Sequence, residues 1–233
     1  MTRTLIDLSH QITDGLVTYP GLPTPTIGEH LTRDASRAIY QGQAEFSIGT
    51  ITMCANTGTY LDTPFHRDPD GHDLAGLALE RVVDVPAVCI DVSRGRTGRI
   101  GEDGAIDLHR IGELDFGGVA VLIRTGAAAH FGTSKYAGSP QPHLTKASAE
   151  ALLSGGVGLV GIDCINIDSM ADPARPVHTT LLRAGVPIVE HLRGLELLPM
   201  AGFRFTAVPP AIVGMGTFCV RAFATVDDDR RVG

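Results

Sequence analysis

The feature that most constrains this chain is a series of short apolar runs, rich in β-branched residues and separated by glycine and proline. Runs of this length and composition are typical of strands, and the 28 glycines and 14 prolines supply the turns between them. We therefore predict strands at Thr4–Leu8, Phe46–Met53, Ala87–Val92, Val119–Arg124, Gly158–Ile162, Val186–Val189, Phe203–Ala207 and Phe218–Ala224.

Helical patterns are fewer than strand patterns. The best of them, Thr145–Leu153, has a threonine cap followed by strong helix formers. Ile106–Leu114 and Pro176–Ala184 are weaker candidates. Hydrophobic residues make up 43% of the chain, which is enough for one large core. The sequence predicts a β-rich α/β fold in a single domain that spans residues 1–233.

Charge and hydropathy exclude several classes of partner. The net charge is −7 and there is no basic run, so a nucleic-acid partner is not expected. No apolar stretch approaches the ~18 residues of a membrane helix, and the N-terminus lacks the apolar core of a signal peptide. We expect a cytoplasmic protein with no membrane partner.

Polar side chains are concentrated between Asn56 and His66, where the sequence reads N-T-G-T-Y-L-D-T-P-F-H. Gly58 permits a tight turn at the start of this segment. Because Pro64 disfavours a helix, we predict an extended or irregular backbone between Asp62 and His66. Side chains that can ligate a metal or transfer protons are thus close together, although a capped loop with no chemistry would also explain them.

A second polar cluster follows further along the chain. His178 enters a short helical pattern that Gly185 ends, and Glu190 closes the apolar run that comes next. A carboxylate at the end of an apolar strand is more often placed to bind something than to pack. Asp163, Asn166 and Asp168 also follow a buried strand, at the position where site residues often project.

Taken in order, these motifs resemble the cyclase family of metal-dependent amide hydrolases, which includes kynurenine formamidases and isatin hydrolases. The resemblance runs from I-D-L-S-H-Q-I and T-Y-P-G through the Asn56–His66 segment, P-H-L-T-K-A-S-A-E-A-L-L and G-I-D-C-I-N-I-D to H-T-T-L-L-R-A-G-V-P-I-V-E-H-L. It implies a swivelling β/β/α fold, a small-molecule substrate and a homo-oligomer, either a dimer or a tetramer.

The chain departs from the family pattern H-x-G-T-H-x-D-x-P-x-H at two metal-ligand positions. Asn56 and Tyr60 stand where the family has histidines, while Asp62, His178 and Glu190 match the ligands of the other family site. Neutral amide oxygen and protonated phenol are poor zinc ligands. The resemblance therefore implies one divalent metal, Zn or Mn, on Asp62, His178 and Glu190, or no metal at all.

The resemblance also implies roles for the neighbouring residues. We expect His66 to act as general base, Tyr60 to donate a hydrogen bond to a developing oxyanion, and Asn56 to orient the substrate carbonyl. Phe65, Tyr19 and His143 are candidate substrate-binding residues. His191 follows Glu190 and is expected to be solvated.

Three functional hypotheses follow. The first is a metal-dependent hydrolase of a small amide, either an N-formyl-aryl amide such as N-formylkynurenine or a cyclic amide. The second is a metal-free acid–base enzyme, such as a dehydratase or a lactone-opening enzyme, that uses Tyr60 and His66. The third is a non-catalytic protein that binds a small molecule in the same pocket.

Overall fold

The computed structural model describes residues 2–94, 99–108 and 115–227. In these ranges the helices are α1 (Arg33–Ile39), α2 (Lys146–Ser154) and α3 (Pro176–Arg183). The strands are β1 (Arg3–Asp7), β2 (Thr26–Leu31), β3 (Ile48–Thr52), β4 (Tyr60–Asp62), β5 (Val85–Asp91), β6 (Arg99–Ile100), β7 (Ala105–Asp107), β8 (Ala120–Arg124), β9 (His143–Leu144), β10 (Leu159–Ile162), β11 (Ile188–Glu190), β12 (Ala201–Thr206), β13 (Thr217–Cys219) and β14 (Phe223–Asp227).

A mixed sheet of nine strands organises the molecule, in the order β1-β14-β12-β5-β8-β10-β11-β4-β13. The four central strands, β5, β8, β10 and β11, run parallel to one another, and antiparallel strands flank them on both sides. Since the carboxyl ends of parallel strands meet at one edge, the loops after β10 and β11 lie close together. The strands β2 and β3 form a separate hairpin, and β6, β7 and β9 form a small third sheet.

The central strands are buried on both faces, which explains their continuous apolar sequences. Along β8, Val121 and Ile123 belong to the core cluster that also contains Leu152 of α2 and Leu181 of α3. Leu122 points to the opposite face, into a second core cluster. Each fully buried side chain of this size contributes about 1.5–3 kcal/mol, so these strands anchor the sheet.

The two longer helices begin and end as their sequences predict. Thr145 caps α2, because its hydroxyl accepts a hydrogen bond from the Ser148 N–H at 3.1 Å. Pro176 is the first residue of α3, where a missing N–H costs nothing. Gly185, at φ +74°, follows the end of α3 in the left-handed conformation that favours glycine. The observed helices confirm the predictions for Thr145–Leu153 and Pro176–Ala184.

The structure corrects three local predictions. The run Phe218–Ala224 contains two strands, β13 and β14, which do not form one continuous strand because residues 220–222 leave the sheet between them. The helix predicted for Ile106–Leu114 is wrong at its start: Ile106 and Leu108 are buried while Asp107 is exposed, and this period of two is that of a strand. Residues 109–114 of that prediction lie outside the described residues.

The third correction concerns the backbone around Pro64. Pro64–His66 forms one turn of 3-10 helix, where we predicted an extended or irregular segment. Proline stands at the first helical position, which it tolerates, so the expected disruption does not occur. The structure nevertheless confirms the β-rich α/β fold class. The helices in the described ranges are all too short or too polar to serve as a membrane span.

Candidate active site

The strand β4 brings the functional side chains together by its pairing with two neighbours. It lies between β11 and β13, with Tyr60 directly opposite Glu190 and with Asp62 directly opposite Thr217. Because side chains alternate along a strand, Tyr60 and Asp62 share one face. Directly opposite residues have Cβ atoms about 5 Å apart, so all four side chains converge at this end of the sheet.

Asp62, His178 and Glu190 form a buried triad of possible metal ligands. One ligand atom from each lies within 4.8 Å of the other two. The His178 Nε2 atom is 3.7 Å from Asp62 Oδ2 and 3.7 Å from Glu190 Oε1. Asp62 lies in β4, Glu190 in β11 and His178 in α3, so three separate elements supply the triad.

Asp168 fixes the orientation of His178. Its carboxylate lies 2.7 Å from His178 Nδ1 and also accepts hydrogen bonds from the backbone N–H groups of Val177 and His178 at 2.7 and 3.0 Å. A carboxylate at this end of α3 is also favoured by the helix dipole. With Nδ1–H directed at Asp168, the Nε2 lone pair faces the other two triad residues, as in a metal-ligating histidine.

Glu190 is held by one donor on each oxygen. The Ile167 N–H donates to Oε1 at 2.6 Å, and the Tyr60 hydroxyl donates to Oε2 at 2.6 Å. Burial raises the pKa of the Tyr60 phenol well above its usual value, and the charges of Glu190 and Asp62 add to the effect. Tyr60 therefore stays protonated and supports the carboxylate, instead of acting as a phenolate ligand.

The charges of the triad depend on one another. Burial opposes protonation of His178, but the Glu190 charge, the hydrogen bond to Asp168 and the nearby Asp62 carboxylate outweigh it, so the His178 pKa is raised well above its usual value. Burial raises the Glu190 pKa, but the positive charge of His178 outweighs burial, so the Glu190 pKa is lowered overall. The proton on His178 thus supplies a positive charge between the two carboxylates, where a bound cation would lie.

Thr217 connects Asp62 to His66. The Thr217 hydroxyl donates its only proton to Asp62 Oδ1, and its oxygen lies 2.8 Å from His66 Nδ1. The hydroxyl must therefore accept from Nδ1–H, which leaves the His66 Nε2 atom with a free lone pair. The 33% exposure of the His66 side chain leaves this nitrogen within reach of a ligand or water.

Gly216 allows His66 to approach the sheet this closely. A Cβ atom on Gly216 would lie 2.3 Å from the His66 backbone nitrogen, which no side chain permits. The Gly216 carbonyl also accepts a hydrogen bond from the Thr63 N–H at 2.7 Å. The turn that carries His66 is thereby fixed against the start of β13.

A cavity of about 220 Å³ opens directly onto these groups. Among the predicted site residues, its walls include Asn56, Tyr19, Tyr60, His66, His178 and Glu190. The structure does not bring the other two candidate substrate-binding residues to it. Phe65 is half-buried and does not belong to the described lining, and His143 lines a different cavity, with its Nδ1 3.0 Å from the Gln141 carbonyl.

The donor set fits a single divalent ion. Asp62 Oδ2 is buried and has no hydrogen-bond partner among the described residues, although an unpaired buried carboxylate oxygen is costly. Two ligands of a tetrahedral ion at bonds of 2.0–2.2 Å are separated by roughly 3.3–3.6 Å, close to the observed 3.7 Å. One nitrogen and two carboxylate ligands suit zinc or manganese. In the described residues, this is the one group found with such an arrangement.

The prediction that His191 is solvated is wrong. The side chain is completely buried, since the backbone at φ +57° turns it inward beside the Tyr60 ring. Its Nδ1 atom lies 2.9 Å from the Tyr136 hydroxyl. Burial lowers the His191 pKa to about 4, against the opposing charges of Glu190 and Asp62, so the ring is a neutral part of the site's packing.

The sequence analysis missed three residues of the site. Thr217 follows a glycine in a short apolar run, and only its pairing with β4 reveals its role. Arg67 and Arg175 both line the cavity. Arginines next to a proline-rich turn carry no recognisable motif, so their convergence could not be read from spacing.

Comparison with known proteins agrees with this geometry. The model of the family described as "Putative cyclase" matches residues 6–169. A kynurenine formamidase from Geobacillus thermodenitrificans is 29% identical over 95% of this chain and 97% of its own length, and one from Bacillus cereus is 27% identical with the same coverage. The structure of isatin hydrolase A from Ralstonia solanacearum superimposes with a TM-score of 0.80 at 26% identity, covering 97% of this chain and 92% of that one, which confirms the cyclase-like fold. The chain belongs to the cyclase family.

Proposed function

We propose that this protein hydrolyses a small amide with one divalent ion, zinc or manganese, held by Asp62, His178 and Glu190. The observation that carries the proposal is the buried triad, in which Asp62 Oδ2 has no hydrogen-bond partner among the described residues. The kynurenine formamidase and isatin hydrolase relatives point to N-formyl-aryl and cyclic amides as the substrate class. An ion in this position would lower the pKa of a water ligand towards neutrality and polarise a carbonyl.

Residues of the chain then transfer the proton, orient the substrate and position the metal ligands. His66 presents an unprotonated Nε2 and takes the proton of the attacking water, because Thr217 fixes the proton on Nδ1. The same imidazole can return that proton to the amine that leaves. Asn56 lines the cavity and offers an amide that can orient the substrate carbonyl. Asp168 positions His178, and Tyr60 positions Glu190 through its hydroxyl proton.

The metal-free alternative is disfavoured by Tyr60. Acid–base catalysis by this phenol would need a pKa near the working pH, yet burial and the neighbouring carboxylates raise it well above the usual value. Its hydroxyl proton is also already donated to Glu190. Homo-oligomer formation and a cytoplasmic location remain predictions of the sequence.

The experiment combines metal titration with turnover. Chelator-treated protein should bind close to one equivalent of Zn or Mn, and activity on N-formylkynurenine, formanilide or isatin should appear with the metal. Asp62→Asn should abolish both. Asp163→Asn is a matched control, since Asp163 is an equally buried carboxylate after β10 but is no part of the triad. Turnover that survives chelation, or no turnover of any amide with the metal bound, would refute the proposal.

A further inference from the structure

Two arginines stand at the mouth of the triad cavity without an acidic partner. Arg67 and Arg175 line the same 220 Å³ space as His178, Glu190 and His66. Among the described residues, neither guanidinium lies within 4.0 Å of a carboxylate, whereas other arginines, such as Arg37 and Arg124, form ion pairs at 3.2 and 2.7 Å. Two positive charges thus face the cavity without a direct carboxylate partner, since Glu190, the acidic residue of the same lining, is already bonded to Tyr60 and Ile167.

Neutral oxygen atoms hold both guanidinium groups in place. Arg67 Nη2 donates to the Ala174 carbonyl at 3.3 Å and to the Thr179 hydroxyl at 3.2 Å. Arg175 Nη1 donates to the Ser169 carbonyl at 2.7 Å. These bonds fix the position of each group but leave its charge and several N–H donors available, since a guanidinium has five.

The backbone at Arg175 strengthens the case for a function. Arg175 has φ +48° and ψ +58°, the left-handed conformation that is uncommon outside glycine, asparagine and aspartate. A strained non-glycine residue is retained mainly where its side chain has a task. Here it directly precedes α3, which carries the triad residue His178, so the arginine stands three residues before this ligand.

We propose that Arg67 and Arg175 bind an anionic group of the substrate, a carboxylate, while the triad and His66 act on its amide bond. This inference rests on the proposed function and adds two specificity-determining residues, which favour a small amide that also carries a carboxylate over one that does not. Arginine matches a carboxylate through paired N–H donors. The cavity is below the ~300 Å³ of typical ligand pockets, so the carboxylate and the amide belong to one compact molecule.

The test compares formanilide with its 2-, 3- and 4-carboxylate derivatives, the formamidobenzoates, on the metal-loaded protein. At least one isomer should exceed formanilide in kcat/KM by about tenfold or more, mainly through KM. Arg175→Gln and Arg67→Gln should each reduce this ratio towards one. Arg183→Gln removes the same charge from the exposed end of α3, outside the cavity lining, and should leave the ratio as it is.

A binding measurement separates this inference from the proposed function. Benzoate should bind the metal-loaded protein more tightly than benzamide does, and Arg175→Gln should remove most of the difference. Arginine-dependent benzoate binding without any amide turnover would refute the hydrolase and retain the anion site. Equal turnover of formanilide and all three formamidobenzoates, or benzoate binding that ignores both arginine substitutions, would overturn the anion site and leave the hydrolase intact.

Discussion

Thr217→Val is the substitution that best tests how the site is organised. Valine has nearly the shape of threonine, so β13 should keep its pairing with β4. The variant loses the hydroxyl that donates to Asp62 Oδ1 and that lies 2.8 Å from His66 Nδ1. Among the described residues, these are the two polar contacts of the Thr217 side chain, so the substitution removes them and no other.

The size of the effect follows from these two bonds. A hydrogen bond to a charged group contributes about 1.5–3 kcal/mol, and 1.36 kcal/mol corresponds to a factor of ten in rate. If the loss falls on the catalytic arrangement, kcat/KM drops by about 10- to 150-fold. Thr217→Ser restores the hydroxyl and should recover most of the activity. Because Asp62 also loses support, metal affinity should fall by about 10–100-fold, so turnover must be measured at saturating metal.

A double-mutant cycle with His66→Ala locates the effect. If Thr217 acts by fixing the proton of His66, Thr217→Val should change kcat little once the imidazole is absent. Steady-state kinetics on an amide substrate, with the metal content of each variant determined, provide the measurement. The reasoning would be wrong if Thr217→Val kept wild-type kcat/KM at saturating metal, or if its effect were undiminished in the His66→Ala background.

The other predictions concern groups around the triad. Asp168→Asn removes the carboxylate that orients His178 and should weaken metal binding by about 10–100-fold in a calorimetric titration; unchanged affinity would contradict that role. Tyr60→Phe removes the hydrogen-bond donor to Glu190 Oε2 and should lower the free energy of unfolding by about 1–3 kcal/mol. The variant should retain turnover at saturating metal, whereas an acid–base role for Tyr60 predicts no turnover. Burial raises the pKa of Asp163 to about 6 from 3.8, so the folded state holds this proton more tightly than the unfolded state and stability falls as pH rises through that window. Relative to Asp163→Asn, the free energy of unfolding measured with urea should therefore drop by about 3 kcal/mol at most between pH 4 and pH 7, and parallel pH profiles would contradict it.

Local sequence patterns predicted the elements whose interactions are themselves local. The Thr145 cap and the Pro176 start both act within one helical turn, so α2 and α3 were readable from the chain. The central strand β8 was readable because burial on both faces demands a continuous apolar run. The strand β4, by contrast, has only three residues, which is too short a run for an alternating pattern to be recognised.

The same distinction explains which site residues could be predicted. Asp62, His178 and Glu190 have side chains that commonly ligate metals, so the motif resemblance was sufficient to propose them as ligands. Thr217 acquires its role only because β13 pairs with β4 in a register that places it opposite Asp62. That register joins positions 155 residues apart, and no short pattern encodes it.

The altered ligand position at Tyr60 has a physical consequence for the site. Where the family pattern has a histidine that could hold a second ion, Tyr60 places a hydroxyl 2.6 Å from Glu190. Burial keeps this phenol protonated, so Tyr60 gives Glu190 a hydrogen-bond donor and is a poor ligand for a second cation. The donor set that remains therefore fits one cation, on Asp62, His178 and Glu190. Under the proposed mechanism, Tyr60 therefore supports the triad, while His66 transfers the proton and Thr217 fixes the His66 tautomer.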